Sequence, residues 1–368
     1  MIYLDYQATT PLAPEARAAM LPFLDEKFGN PHSPHRMGRE AAAAVEAARE
    51  AVAALLGEGH KAGRLLFTSG ATEAANWAIQ RAPQGRRRIV TIATEHACVR
   101  DTAEYMTTLG FETALLPVGR DGLVDLDQAA EAINGETALV AAMLVNNEIG
   151  VIQPIAELSA LARAAGALFF CDAVQGYGRI GVPVDACDMI AISAHKIHGP
   201  KGIGALWLRD GVELPPLLHG GGQEGGIRSG TLAPALCAGF GAAALLATPD
   251  DLAHVEQLYE HAKSALGEEW QVNGHRRRRY RGNLNVRRDG LDVGRLISEL
   301  RGIAFSAGSA CASGSGRPSH VLKALGLSDS EARSSIRLGF GRYTTVEDID
   351  KATSLIREAA ERQREWAA

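Results

Sequence analysis

Five short apolar runs punctuate the first part of this chain, at residues 88–92, 139–145, 167–171, 189–192 and 204–208. Ala-rich stretches with helical spacing, such as residues 38–56 and 155–165, fall between and around them. A run that short and that continuously apolar has no polar face to give to water. It reads as a strand buried on both sides. Strands alternating with helices at this spacing predict an α/β domain with a largely parallel sheet. The same pattern says where chemistry belongs, because ligands of such sheets sit beyond the carboxyl ends of the strands. The polar residues that close each run are therefore the ones to inspect.

At 368 residues the chain exceeds what one hydrophobic core usually serves, which predicts two domains. Helical sequence from residue 233 to about 247 ends at Thr248-Pro249-Asp250, a stop followed by a new N-cap. We expect a large domain over residues 14–248. Residues 1–13 and 249–368 are expected to form a smaller α+β domain. A net charge of −5 gives no reason to expect nucleic acid or an anionic membrane as a main partner. The basic run at residues 276–279 reads as a solvated surface segment. No run approaches the ~18 apolar residues of a membrane span. Residues 1–5 lack the basic-then-apolar order of a signal peptide. A cytoplasmic protein is expected.

Four strand ends carry candidate chemistry. Phe67-Thr-Ser-Gly-Ala-Thr-Glu73 passes from an apolar run through small residues into a helical pattern. Free N–H groups at such a helix start, with a hydroxyl donor, suit a phosphate, although a plain N-cap looks the same. Glu95 and His96 follow the second of these ends, where a histidine is either functional or a structural hydrogen-bonder. Asp172 closes the run at 167–171. A buried carboxylate needs a cation or several donors, and a protonated pyridine nitrogen would serve. Ser193, His195 and Lys196 close the run at 189–192. A lysine there loses solvation, which makes its amine a nucleophile; a salt-bridged structural lysine is the alternative. Together, a lysine for a Schiff base, a carboxylate for a pyridinium nitrogen and phosphate donors are what pyridoxal 5'-phosphate (PLP) requires.

The five cysteines are odd in number, widely spaced and without a CxxC pair, so neither a disulfide framework nor a metal site is expected. Cys311 stands apart. It lies in Ser306-Ala-Gly-Ser-Ala-Cys-Ala-Ser-Gly-Ser-Gly316, a segment too poor in apolar bulk to build a core and expected to be mobile. That context favours a reactive thiol. Cys98, Cys171, Cys187 and Cys237 read as core or near-core, Cys98 least clearly because His96 is close.

Several longer motifs then make a family recognisable. They are Tyr3-Leu-Asp-Tyr-Gln-Ala-Thr-Thr-Pro11, Phe28-Gly-Asn-Pro31, Val145-Asn-Asn-Glu-Ile-Gly150, Ser193-Ala-His-Lys-Ile-His-Gly-Pro-Lys-Gly202, Gly220-Gly-Gly-Gln-Glu-Gly-Gly-Ile-Arg-Ser-Gly-Thr231 and Gly341-Arg-Tyr-Thr-Thr345. In this order, over almost the whole chain, they resemble the IscS/NifS-type cysteine desulfurases. These are class V aminotransferase-like enzymes of the fold-type I PLP group.

The resemblance implies a set of roles. Lys196 would carry PLP covalently, with His96 on the ring, Asp172 on its nitrogen and Gln175 on its hydroxyl. Ala71, Thr72, Ser193 and His195 would hold the phosphate, and Thr231 would reach the phosphate of a neighbouring subunit in a homodimer. Asn147 and Arg337 would meet the substrate carboxylate, Arg337 by a two-pronged contact. Sulfur from L-cysteine would pass to Cys311 as a persulfide, leaving L-alanine, and then to an acceptor such as an iron–sulfur scaffold or a tRNA-thiolation relay. No resident metal is implied, although Cys311 could ligate a cluster transiently. The Ser-Ala-Gly-Ser-Ala-Cys form of the loop resembles the IscS/NifS group rather than the His-rich SufS group. The chain ends at Ala368, where many IscS proteins continue into a scaffold-docking tail. Rival readings are a selenocysteine lyase, an aminotransferase or decarboxylase that would not need Cys311, and a carrier that kept only the fold.

Overall fold

The computed structural model describes residues 1–81, 85–307 and 318–367. Its centre is a seven-stranded sheet built from β1 (Gly63–Thr68), β2 (Arg88–Ile92), β3 (Glu112–Leu116), β4 (Thr137–Met143), β5 (Leu168–Asp172), β6 (Met189–Ser193) and β7 (Gly204–Arg209). The order across the sheet is β1-β7-β6-β5-β4-β2-β3. From β6 to β3 all neighbours run parallel, while β7 is antiparallel to both β6 and β1.

Adjacent residues of these strands go to opposite cores, which is why the runs are apolar throughout. Leu66, Ile89, Leu139, Phe170, Met189 and Leu206 pack on one face against α3 (Ala71–Arg81) and α4 (Ala97–Thr108). Phe67, Val90, Val140, Phe169, Ile190 and Trp207 fill the other. That face is covered by α2 (Arg36–Ala54) and α5 (Pro234–Leu246), with α1 (Pro14–Leu24) against α5. Burying each such side chain contributes about 1.5–3 kcal/mol. The strand expected at 139–145 starts two residues earlier and ends at Met143. Val145 instead bridges Ile152 in the turn that follows.

Thr248 caps α6 (Pro249–Leu266) with a full capping box closed by Asp251. Beyond it lies a three-stranded antiparallel sheet of Gln271–Val272, Asn283–Arg287 and Ser335–Gly339, with α7 (Val346–Ala367) packed on α6. The N-terminal strand Ile2–Tyr3 pairs with Ile303–Ala304, and Asp5 bridges Gly339. Four of the five cysteines are described. Cys171, Cys187 and Cys237 are buried and Cys98 is partly buried. The basic run is only partly solvated. The arginines at 276–278 are exposed, but Arg279 is buried, and its guanidinium donates to the carbonyls of Ile149 and Asn283. Among the described residues no helix is long and apolar enough to cross a membrane.

Candidate active site

A cavity of about 560 Å³ opens at the carboxyl ends of β2, β4, β5 and β6. Its walls include ten of the residues singled out from the sequence: Ala71, Thr72, His96, Asn147, Asp172, Gln175, Ser193, His195, Lys196 and Arg337. Thr231 is exposed and does not line it. Cys311 lies outside the described residues.

Lys196 ends a short turn that leaves β6. Its Nζ donates to the carbonyls of Gln7 at 2.6 Å and Ala8 at 2.8 Å. Burial, with the charges of Arg179 and Arg337, pulls its pKa down to about 7. A good share of these amines is therefore neutral near physiological pH, as a nucleophile must be. His195 is driven down to about 4, first by burial and then by Lys196. It is a neutral ring, with Nδ1 3.1 Å from Thr9 Oγ1.

Asp172 ends β5, 6% exposed, and its Oδ1 accepts the Val174 N–H at 3.0 Å. Burial raises its pKa, while His96 and Lys196 oppose the rise. Glu95, next to it, is fully buried. Its Oε1 accepts the Met143 N–H at 2.7 Å, and Oε2 has no partner among the described residues. Burial and the Asp172 charge hold Glu95 well above the usual carboxylate range. With the Lys196 amine facing Asp172, and no cation acting on Glu95 among the described residues, the proton of this carboxyl pair belongs on Glu95 and the charge on Asp172.

His96 caps α4, and its Nδ1 accepts the Cys98 N–H at 3.2 Å. A ring nitrogen that accepts a backbone N–H carries no proton, so the neutral ring is protonated on Nε2. The Cys98 Sγ lies 3.1 Å from the same Nδ1. Burial raises the Cys98 thiol well above its usual range.

Arg337 is 1% exposed. Its Nη2 donates to Asp5 Oδ1 at 2.7 Å and Ser306 Oγ at 3.1 Å, and Nη1 donates to Asn147 O at 3.0 Å. Both two-pronged faces of a guanidinium use Nη2, whose two hydrogens are thus engaged. A carboxylate entering here meets the remaining Nη1 and Nε hydrogens or displaces Asp5. The Asn147 amide takes no hydrogen bond from the described residues and is free to assist.

Sequence reading missed several groups here: Gln7, Ala8, Arg179, Glu148 and His320. Gln7 and Ala8 act through backbone carbonyls, which leave no mark in a sequence. Ser319 donates to the buried Glu148 carboxylate, and the His320 Nε2 lies 3.0 Å from Glu95 O. His320 and Pro318 line the cavity. On the other side of the Cys311 segment, Ser306 hydrogen-bonds the Arg337 side chain and shares two backbone bonds with it. Both flanks of that segment are therefore tied to the cavity walls.

A strand-end lysine, a strand-end aspartate and an open helix start around one cavity in a mainly parallel sheet define the aminotransferase-like class of α/β enzymes. The model of the family described as Aminotransferase class-V matches residues 2–352. The chain is 44% identical to the cysteine desulfurase IscS of Rickettsia bellii, over 96% of this chain and 90% of that one. Its fold matches a solved NifS-like protein with a TM-score of 0.89 and 33% identity, covering 98% of this chain and 99% of the other. It also matches a structure described as SspA in complex with cysteine, with a TM-score of 0.84, 34% identity and coverage of 94% and 100%. The chain belongs to the class-V aminotransferase family, in its IscS/NifS branch of cysteine desulfurases.

Proposed function

We propose that this chain is a PLP-dependent cysteine desulfurase that transfers the sulfur of L-cysteine to Cys311. The observation that carries the reading is the single cavity holding Lys196, Asp172, His96 and Arg337, with both flanks of the Cys311 segment tied to its walls.

PLP fits what this cavity leaves unpaired. The N–H groups of Ala71 and Thr72 at the start of α3, and the hydroxyls of Thr72 and Ser193, have no partner among the described residues. They suit a phosphate. The Asp172 Oδ2 is likewise without a donor and suits a pyridinium nitrogen. The Lys196 amine suits an aldehyde. When bound, PLP supplies an electron sink for the carbon that loses its proton.

The protein's own residues do the rest. Arg337 and Asn147 bind the substrate carboxylate. Lys196 would hold the cofactor and, as a free amine, would take the α-proton. Asp172 keeps a negative charge opposite the ring nitrogen, and His96 moves protons at Nε2. The Cys311 thiolate attacks the substrate sulfur, so that an S–S bond forms as the C–S bond breaks. The carbon takes up a proton and leaves as L-alanine. One thiol and L-cysteine give one persulfide and L-alanine, with no outside oxidant.

The division into residues 14–248 and residues 1–13 with 249–368 is part of this reading. So is a cytoplasmic homodimer in which Thr231 reaches the partner's phosphate site. The exposed Leu21, Leu24, Phe28 and Leu245 on and beside α1 and α5 support a partner subunit. The sulfur acceptor is an iron–sulfur scaffold or a thiolation relay protein.

Two measurements test the reading short of removing a catalytic group. Capture of PLP by the cofactor-free chain needs the neutral amine. Its rate should climb through pH ~7 and flatten above, falling about tenfold per unit below. Following the yellow absorbance against pH checks this, and a rise centred near pH 10 would count against the depressed lysine. Arg337→Ala should raise KM for L-cysteine about 10–100-fold, the loss of one charge-assisted contact. PLP content should stay unchanged. Steady-state kinetics with an unaltered KM would remove Arg337 from the substrate site.

A further inference from the structure

Arg179, in the turn after β5, has no carboxylate partner among the described residues. A partly buried guanidinium usually has one. Instead its Nη2 donates to the backbone oxygen of Lys196 at 2.7 Å and of Tyr6 at 3.3 Å. Its Nη1 donates to Gln175 Oε1, and its Cζ stacks 5.3 Å from the Tyr280 ring centroid. Gln175 extends the contact, because its Nε2 donates to Gln7 O at 2.9 Å. The Lys196 Nζ ends on that same carbonyl and on Ala8 O.

The bonds close a circuit. It runs from Arg179 through the Gln175 amide to the Gln7 carbonyl, on to the lysine side chain, and back through the lysine's own carbonyl to Arg179. Two cations thus share three consecutive carbonyls, those of Tyr6, Gln7 and Ala8. No carboxylate accepts a hydrogen bond from either cation among the described residues.

We infer that Arg179 is a positioning residue for Lys196: a fixed cation behind the lysine that discourages a second charge there and orients Gln175 and the Gln7 carbonyl. Burial lowers the pKa of Arg179, yet a guanidinium keeps its proton in proteins. A permanent like charge favours the neutral amine, as burial and Arg337 also do, while Asp5 and Asp172 face the lysine and favour its charged form; the pKa of Lys196 is depressed on balance. The planar fork matters as well, since it reaches three acceptors that an ammonium could not reach together. The inference rests on Lys196 being the cofactor-binding amine.

The test uses full-length chain stripped of cofactor and then given PLP, with growth of the yellow absorbance followed against pH. Arg179→Gln keeps an amide donor but removes the charge. Its midpoint should rise by about one pH unit, and its capture rate at pH 7 should fall about fivefold. Arg179→Lys keeps the charge and loses the fork, so its midpoint should stay near wild type while Gln175 is less well held. Gln175→Glu leaves Arg179 in place and hands it a carboxylate. Its midpoint should rise too, which keeps the test open where Arg179→Gln does not fold. A folded Arg179→Gln or Gln175→Glu chain with the wild-type midpoint overturns the inference. Yellow absorbance that survives dialysis in Lys196→Ala would overturn the parent reading instead, so the two failures are distinguishable.

Discussion

Lys196→Ala is expected to be inactive and to retain no yellow cofactor through dialysis. The cavity offers PLP other contacts, at Asp172, at the start of α3 and at Ser193, so the variant should still bind the cofactor loosely. What it loses is the amine that anchors the aldehyde and the base that moves the α-proton. Removing a positioned base alone costs about 10²–10⁴-fold in rate. Losing covalent attachment as well should push turnover below detection. The fold should survive, because two opposing effects meet at this side chain. Its two hydrogen bonds to Gln7 and Ala8 are lost, while an ammonium disfavoured by burial and by Arg179 goes with them. Absorbance after loading with PLP and dialysis into cofactor-free buffer, and release of L-alanine from L-cysteine, are the two readouts. A yellow, active Lys196→Ala would mean that the anchoring amine lies elsewhere. A small added amine should restore part of the proton-transfer rate in the true base variant.

The sequence made the site legible where side chains project from strand ends. Asp172 and Lys196 could be found because each follows a doubly buried run, and a polar residue there has one place to go. The antiparallel entry of β1 and β7 was not legible, since buried strands look alike whichever way they run. β3 was missed because it is an edge strand with exposed and half-buried positions. The ion pair of Asp5 with Arg337 joins residues at opposite ends of the chain. It alters how the arginine can meet a carboxylate, and no local pattern announces it. The contacts of Arg179 are harder still to read, because most of its partners are backbone oxygens. Glu95 was visible as a strand-end residue, but its role depends on the neighbouring Asp172, which the fold supplies.

Cys311→Ala separates desulfuration from cofactor chemistry. The variant should keep the yellow absorbance of wild type, because the cavity residues suited to PLP lie elsewhere in the chain. It should release neither L-alanine nor sulfide from L-cysteine, a loss of at least ~10³-fold. The other thiols are poor substitutes. Cys171, Cys187 and Cys237 are at most 1% exposed. Cys98 lines the cavity, but burial keeps it in the thiol form, and the thiolate is the nucleophile. Cys311 is the remaining cysteine of the five. On one side of its segment Ser306 is bonded to Arg337, and on the other Ser319 and His320 are bonded to Glu148 and to the Glu95 carbonyl. The described residues on both sides of the Cys311 segment are thus bonded to Arg337 and to the strand end carrying His96, which supports the proposed role of Cys311. Alkylation followed by mass spectrometry should find one fast-reacting thiol in wild type and none in the variant. Normal alanine release from Cys311→Ala would transfer the role to Cys98, the thiol that lines this cavity among the described residues.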